Sequence, residues 1–291
     1  MARIEARYQE VDRDWYPWAK PWDGKSSRSG ELQRINAAIA AGQSIEVSPV
    51  LAGLIRRAAD IERRSQGKFN PGIGKLTQLW GFDNVLRENW APPPPMAVSD
   101  IIAAAPGSAH LQSNNDTLSS DSTTTQIDLG GIAKGAILAL TVALLHDADL
   151  HDAIIDIGGD VTVLGNVHGR AARIGIRSPV ADSPIGWLAV ADGETVVTSG
   201  DYERFFEYQG EKFAHILDPL TGFPVQHTAS VTVVHRDPIL ADAAATALVV
   251  AGMDKFDQTC AALGIQQAIL IDASGELRLT AAMDRRVNWV R

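Results

Sequence analysis

The order in which helical and strand patterns follow one another constrains the fold of this chain more than any other feature. Helical patterns fill most of residues 1–66, and short apolar runs typical of β-strands dominate after residue 108. Two strongly apolar helical patterns, at 132–146 and 239–250, lie among these runs. Because helices lead and short strands follow without regular alternation, the sequence predicts an α+β fold. We expect N-terminal helices packed with a mixed or antiparallel β-rich core.

The ends of the predicted N-terminal helices are marked by residues with known boundary preferences. Pro17 stops the amphipathic pattern of residues 1–20, and Gly42 follows the pattern at 31–41. Ser48 and Pro49 then begin a longer helix, because serine caps a first turn and proline fits its first position. The length of 291 residues is enough for one large or two small domains with a sizeable core.

Charge and cysteine content exclude several classes of function. The formal net charge is −9, so we do not expect this chain to bind nucleic acid by neutralising phosphates. The single cysteine, Cys260, excludes an intramolecular disulfide and a cysteine-rich metal site. The longest apolar run, at 136–145, is about half as long as a membrane-spanning helix. The first residues contain neither an apolar signal segment nor a lipobox cysteine.

A glycine-rich segment between a predicted strand and a predicted helix is the first candidate binding motif. It has the sequence DLGGIAKG at 128–135. Gly130 and Gly131 let the main chain approach an anion closely, and free N–H groups at the start of a helix can point at it. An ordinary strand-to-helix turn explains the same residues equally well.

Two further segments carry residues suited to proton transfer or metal binding. In HILDPLTGFP at 215–224, His215 can accept or deliver a proton, or it can be a core residue of its own turn. In ADAAATA at 241–247, Asp242 and Thr246 are four residues apart, so their oxygens share one helical face. A carboxylate and a hydroxyl suit Mg²⁺, whereas a first-turn aspartate that interacts with the helix dipole is the alternative.

Two other glycine-containing segments have simple structural interpretations. IGGD at 157–160 is typical of a hairpin turn with glycine at positive φ. TSGDYER at 198–204 combines small residues, an aromatic ring and a cation, which suits either a ligand pocket or a β-turn with a solvated ion pair. Neither segment indicates a function by itself.

Taken together and in this order, the motifs resemble the ApbE family of FAD:protein FMN transferases. The resemblance rests on LWGF at 79–82 and on the five segments above, and it covers about residues 31–252. The DxGGxAKG and HxxDPxTG elements are the most specific to the family. The resemblance implies a single ApbE-like flavin transferase domain over residues 1–291, with room for a helical N-terminal subdomain over about 1–90.

Members of the family bind FAD and a divalent metal, usually Mg²⁺, and transfer the FMN moiety of FAD to a threonine hydroxyl of a target protein, releasing AMP. The resemblance therefore implies Mg²⁺ as cofactor, FAD as substrate, and a threonine-bearing acceptor protein of a membrane redox complex as partner. By motif match, the metal ligands would be the main-chain oxygen of Gly131 and the side chains of Asp242 and Thr246. The residues assigned to flavin binding are Phe69, Asn70, Asp128, Lys134, Ser199 and Ile216.

The resemblance also implies catalytic roles for His215, near the pyrophosphate, and for Asp242. An acceptor threonine is a poor nucleophile and needs a base or a tight hydrogen bond, for which His215 or a nearby carboxylate is the candidate. Two alternatives use the same residues. One is a Mg²⁺-dependent FAD pyrophosphatase giving FMN and AMP, and the other is an FAD-binding protein without turnover. The metal pair Asp242 and Thr246 argues against the binding protein.

Two features depart from the family pattern. FNPG at 69–72 stands where members commonly have Phe-Asp-Pro-Thr, so we expect a flavin contact to differ. Members also normally carry a signal or lipoprotein region and a first strand ahead of Ile4, and we expect these upstream of this chain. The resemblance accordingly implies a periplasmic or membrane-facing location, while a cytoplasmic one stays open because this chain has no signal or transmembrane segment.

Overall fold

The computed structural model describes residues 2–15, 17, 29–84, 90–104, 107–114, 116–166, 169–179, 181 and 183–290. The chain divides into two compact units. The first consists of Met1–Gly131 with Phe205–Pro224, and the second of Ile132–Arg204 with Val225–Arg291. The chain returns to the first unit once, at residue 205, and this returning segment contains HILDPLTGFP.

The elements follow one another in an order that puts most helices first. Up to the glycine-rich motif they are α1 (Ala2–Asp14), α2 (Glu31–Ala40), β1 (Ile45–Glu46), α3 (Pro49–Arg64), α4 (Gly74–Trp80), α5 (Pro95–Ala103), a 3₁₀ turn (Ser108–His110), β2 (Leu111–Asn114) and β3 (Thr117–Ser120). After it come α6 (Ala133–Asp147), β4 (Ala153–Ile157), β5 (Asp160–Leu164), β6 (Ala172–Ile176), β7 (Gly186–Val190), β8 (Thr195–Gly200), β9 (Phe205–Tyr208), β10 (Glu211–Ala214), β11 (Thr228–His235), α7 (Pro238–Leu263), β12 (Ala268–Asp272), β13 (Leu277–Leu279), α8 (Ala281–Asp284) and β14 (Asn288–Trp289).

The first unit combines helices with two small antiparallel β-structures. β1, β3 and β2 form a three-stranded sheet in that order, and β9 pairs with β10 as a hairpin. α3 begins as the sequence predicts, since the Ser48 hydroxyl accepts a hydrogen bond from the Leu51 N–H at 3.4 Å. Asn36 of α2 bonds both main-chain groups of Ile127, at 2.9 and 2.7 Å, and so fixes the segment that enters the glycine-rich motif.

An aromatic cluster forms much of the core of the first unit. Trp80, Phe82 and Phe206 are all at most 5% exposed. The rings of Trp80 and Phe206 are 6.5 Å apart between centroids, and those of Phe206 and Phe213 are stacked at 5.1 Å. Such pairs contribute about 0.5–1.5 kcal/mol each beyond the area they bury. The Trp80 indole N–H also donates to the Gly222 carbonyl at 2.8 Å, which ties α4 to the loop after β10.

The second unit is built on a six-stranded antiparallel sheet in the order β13-β12-β11-β8-β5-β4. The central strand β11 is buried along almost its whole length. α7 packs on β8, β11 and β12, and apolar side chains of β6 and β7 join those of the large sheet in one core cluster. Because α7 and the β6–β7 side chains pack on the large sheet, its central strands are buried. This burial explains the nearly continuous valine and threonine runs of β8 and β11.

The two long helices of the second unit pack on each other as well as on the sheet. α7 bends at Gly252, where φ is 60° and ψ is −172°. A Cβ there would also lie 2.5 Å from the His227 ring, so the bend requires glycine. No helix among the described residues is long and apolar enough to cross a membrane.

The α+β prediction is confirmed, including the antiparallel sheets. α1 ends at Asp14, before the predicted stop at Pro17. The rest of the predicted first helix, towards residue 20, lies largely outside the described residues. The hairpin β9–β10 and the helices α4 and α5 are absent from the sequence prediction. A single domain over residues 1–291 stays a prediction.

Candidate functional site

Asp242 lies in the first part of α7 and is only 2% exposed. Its Oδ2 accepts a hydrogen bond from the main-chain N–H of Gly135 at 2.8 Å. Within the described part of the chain, its other carboxylate oxygen receives no hydrogen bond. Burial and the nearby Asp160 carboxylate raise the pKa of Asp242 to about 7. A cation beside the unbonded oxygen would therefore relieve an unfavourable buried charge.

Gly135 makes this contact between the two long helices of the second unit, α6 and α7, possible. It lies in the first turn of α6, whose N-terminal N–H groups have no partner within the helix and whose cap residue Ile132 offers no side-chain hydrogen bond. A Cβ on Gly135 would lie 2.2 Å from the Pro238 carbonyl oxygen and 2.9 Å from the Asp242 Cβ. The glycine of the AKG sequence is thus what lets an aspartate of α7 bond the start of α6.

Replacing Gly135 by alanine is expected to lower the free energy of unfolding by about 2–4 kcal/mol, because α6 and α7 must separate to admit the methyl group. Urea unfolding of the purified variant measures this. Gly53→Ala in α3 is the matched control: a Cβ there meets nothing within 4 Å, and alanine favours a helix interior. Equal stabilities of the two variants would contradict the close approach at Gly135.

Lys134 provides the positive charge next to Asp242. Its Nζ is 2.9 Å from Oδ2 of the fully buried Asp160 at the start of β5. Burial alone would lower the pKa of Lys134, but the carboxylates of Asp160, Asp242 and Glu203 outweigh that effect and raise it. These carboxylates therefore favour the ammonium form of Lys134.

The chemistry of this cluster fits a divalent cation. Three carboxylates act on the Lys134 ammonium group, and Arg177 acts on Glu203. Asp242 therefore shares the charge of Lys134 with two other carboxylates. Thr246 follows Asp242 by one helical turn, with its hydroxyl 3.5 Å from the Asp242 carbonyl oxygen. Among the described residues, no group of three or more His, Cys, Asp or Glu side chains is arranged to hold a metal ion. A metal here would therefore need hydroxyl or main-chain oxygens besides the Asp242 carboxylate.

The predicted third ligand, Gly131, is the last residue of the first unit and precedes α6 by two positions. The second unit brings together Lys134, Asp242 and Thr246. Ser199 belongs to the same unit, on β8 opposite Val231, and is 8% exposed. The complete three-ligand set stays a prediction.

In the first unit, Asp128 and the FNPG turn are neighbours. The Asp128 N–H donates to the Pro71 carbonyl at 2.8 Å. The Asp128 carboxylate accepts from the Gly130 N–H at 2.8 Å and from the Thr77 hydroxyl at 2.9 Å. One oxygen therefore fixes the shape of the glycine-rich turn and the other ties the turn to α4, where Thr77 is a partner that sequence reasoning missed.

The FNPG turn also explains why this chain has glycine where the family pattern has threonine. Phe69 is 4% exposed, and the Asn70 side chain accepts a hydrogen bond from the Gly72 N–H at 2.7 Å. A Cβ on Gly72 would lie 2.7 Å from the Gly107 Cα. The close approach of two main chains thus excludes a threonine side chain at this position.

His215 and Ile216 follow β10 and enter a closed loop. His215 is half-buried and meets the Phe82 ring edge-on at 6.4 Å, and Ile216 is 7% exposed. Asp218 shapes the loop: its carboxylate accepts from the Leu220 N–H at 2.9 Å and from the Thr221 hydroxyl at 3.2 Å. The DPxTG part of the motif is therefore a self-bonded turn that presents His215 at its entrance.

Asp160 is the residue whose importance the sequence reading missed. The structure confirms the hairpin turn at IGGD, with Gly158 and Gly159 at φ of 62° and 93°. The same segment also delivers a buried carboxylate to Lys134. A charged residue directly after the turn, in a strand otherwise made of apolar residues and threonine, was the available signal.

Comparison with known proteins decides the family. The model of the ApbE family matches residues 1–270. The chain belongs to the ApbE family. The FAD:protein FMN transferase of Rhodobacter capsulatus is 38% identical over 296 residues, which cover 100% of this chain and 54% of that protein. This ApbE chain therefore spans about half the length of that relative.

A second relative and a crystal structure agree with this assignment. The FAD:protein FMN transferase of Treponema pallidum is 35% identical over 281 residues, covering 88% of this chain and 74% of that protein. The crystal structure of the ApbE protein from Thermotoga maritima has a TM-score of 0.86 and 28% identity, and the match covers 98% of this chain and 91% of that one. The ApbE fold therefore extends over nearly the whole chain.

Proposed function

We propose that this chain transfers the FMN moiety of FAD to a threonine hydroxyl of an acceptor protein and releases AMP, with Mg²⁺ as cofactor. Its family and the names of its relatives support this function. The observation that carries it is the buried Asp242 carboxylate, which is bonded to Gly135 at the start of α6 beside the Lys134 ammonium group. A helix start, a cation and a site for Mg²⁺ together suit a diphosphate.

Each assigned residue has a role in this proposal. Asp242, Thr246 and the main-chain oxygen of Gly131 would hold Mg²⁺, which would supply positive charge to balance that of the diphosphate and of the departing AMP. Lys134 donates to phosphate oxygens. The flavin side of FAD is bound by Phe69, Asn70, Asp128, Ser199 and Ile216.

The proposed reaction exchanges the phosphoanhydride bond of the FAD diphosphate for a phosphoester bond to threonine. The threonine oxygen forms a bond to the phosphorus on the FMN side, and the bond from that phosphorus to the bridging oxygen breaks. The electron pair leaves with AMP, while the threonine proton passes to a base. His215 is the proposed base, because an imidazole can accept a proton and its half-buried ring begins the HxxDPxTG motif at the entrance of the Asp218 loop.

The test is incubation of the purified chain with FAD, Mg²⁺ and a threonine-containing acceptor peptide, followed by mass spectrometry of the peptide and chromatography of the nucleotides. Covalent FMN on the peptide together with free AMP supports transfer. Free FMN and AMP without a peptide adduct would indicate an FAD pyrophosphatase. Unchanged FAD that remains bound would indicate a binding protein without turnover. We further propose an acceptor in a membrane redox complex and a periplasmic or membrane-facing location.

A further inference from the structure

The buried Asp160 of the β4–β5 hairpin has no role in the function proposed above, yet it is the ion-pair partner of Lys134. We propose that Asp160 is a positioning residue that holds the Lys134 ammonium group where the diphosphate of FAD binds and keeps it away from Asp242. The inference rests on the proposed function, because it concerns the same site.

The Asp160 carboxylate is held from two sides. Asp160 is 0% exposed and begins β5 directly after the Gly158–Gly159 turn. One of its oxygens accepts a hydrogen bond from the Thr198 N–H of β8 at 3.2 Å, and the other is 2.9 Å from the Lys134 Nζ. A carboxylate bonded to the main chain of a central strand has little freedom to move, so its position determines that of the ammonium group.

The Lys134 ammonium group keeps capacity for a ligand. A lysine ammonium has three donors, and in the described part of the chain Asp160 is the one ion-pair partner of Lys134. The Lys134 side chain is 30% exposed although its partner is buried. Asp160 therefore holds the ammonium group on one side, and phosphate oxygens can reach it on the other.

Without Asp160, electrostatic attraction would move Lys134 in a harmful direction. Asp242 and Glu203 are the other carboxylates that act on Lys134. Asp242 has an oxygen that accepts no hydrogen bond from the described residues. An ammonium group released from Asp160 would be drawn to that oxygen, which is the one that the proposed metal needs.

A second buried pair in the same unit shows what a purely structural ion pair looks like. Arg286 bonds Glu194, the Gln267 side chain and the Ala189 carbonyl, the last at 2.7 Å. These contacts join the segment after α8 to β7 and to the residues just before β8 and β12, and they occupy most donors of the guanidinium group. Lys134 makes no such set of contacts. The Glu194–Arg286 pair therefore supplies a matched control.

The experiment compares Asp160→Asn with Glu194→Gln in the full chain. The rate of AMP release from FAD with Mg²⁺ and the threonine-containing acceptor peptide gives kcat and KM, and quenching of flavin fluorescence in EDTA gives FAD affinity. Lys134→Met and the double variant Asp160→Asn with Lys134→Met complete a cycle. Lys134→Arg is added because arginine preserves a buried ion pair but places its charge differently. Urea unfolding of every variant separates folding from positioning.

Asp160→Asn is expected to lower kcat by about 10²-fold and to change KM by less than about threefold, because a misplaced cation still binds but no longer matches the transition state. Its effect is expected to vanish when Lys134 is already methionine. Lys134→Arg is expected to remain folded and to lose kcat about tenfold or more. Glu194→Gln is expected to lower stability and to leave kcat and KM unchanged.

Three results would overturn the inference alone: normal kcat in Asp160→Asn, an additive loss in the double variant, or full activity of Lys134→Arg. If Asp160→Asn does not fold, the Lys134→Arg result decides. Absence of any FAD turnover by the wild-type chain would instead overturn the proposed function, and the positioning role with it. The two failures are therefore distinguishable.

Discussion

Replacing Asp242 by asparagine is expected to reduce FMN transfer by at least about 10³-fold while the chain stays folded. Asparagine has nearly the same shape and can still accept the hydrogen bond from the Gly135 N–H, so the packing of α6 on α7 is preserved. The lost negative charge removes the proposed metal ligand. The measurement is the rate of acceptor-peptide labelling over a range of Mg²⁺ concentrations, with EDTA as the metal-free reference.

Asp237→Asn is the matched control on the same helix. The Asp237 side chain caps the start of α7 by accepting from the Ile239 and Leu240 N–H groups. Asparagine caps a helix about as well as aspartate, so this variant is expected to transfer FMN at the wild-type rate. Wild-type activity in Asp242→Asn would contradict the metal assignment, whereas equal losses in both variants would point to a general effect of charge on α7.

Replacing Asp242 by asparagine is also expected to change the free energy of unfolding of the metal-free protein. The pKa of Asp242 is about 7 in the folded chain against an ordinary value of 3.8, so folding favours the protonated carboxyl. The contribution of the Asp242 carboxyl to the free energy of unfolding is fully present below about pH 4. It falls by roughly 3–4 kcal/mol as the pH rises to about 7. In EDTA, Asp242→Asn should therefore unfold at a higher urea concentration than wild type at pH 8. The difference in stability should shrink towards pH 4. Identical profiles of stability against pH for the two proteins would contradict this prediction.

Replacing His215 by alanine is expected to slow FMN transfer by about 10²–10³-fold and to change FAD affinity much less. The reason is its proposed role as the base that accepts the threonine proton, which matters in the transition state and not for binding FAD. Single-turnover labelling of the acceptor peptide gives the transfer rate, and flavin fluorescence gives the affinity.

His151→Ala is a suitable control for the His215 variant, because the His151 side chain is 65% exposed in the second unit. It is expected to leave both measurements unchanged. A loss confined to FAD affinity in His215→Ala would move this residue from chemistry to binding. In that case a carboxylate would become the candidate base.

The helices and central strands were predictable because their signals are local. Ser48 and Pro49 mark the start of α3, and the apolar runs mark β8 and β11. The β9–β10 hairpin was missed although Gln209 and Gly210 have positive φ, as a tight hairpin turn requires. Each of its strands is only four residues long, so the alternation of aromatic and charged residues is too short to give a clear pattern.

The site was predictable only where its residues lie within one motif. Asp242 and Thr246 share a helical face, which their spacing reveals. The pairing of Lys134 with Asp160, and the contact of Gly135 with Asp242, join residues far apart in the chain through tertiary packing. The requirement for glycine at Gly72 likewise depends on a neighbouring main chain at Gly107. No local pattern contains that information.

The position of a bound metal tests the central claim most directly. Crystals grown with FAD and Mn²⁺ in place of Mg²⁺ allow the metal to be located by anomalous scattering. The account predicts one peak within about 2.5 Å of the Asp242 carboxylate and the Thr246 hydroxyl, next to the FAD diphosphate. A peak away from Asp242 in crystals of an enzyme that turns over FAD with Mn²⁺ would contradict it.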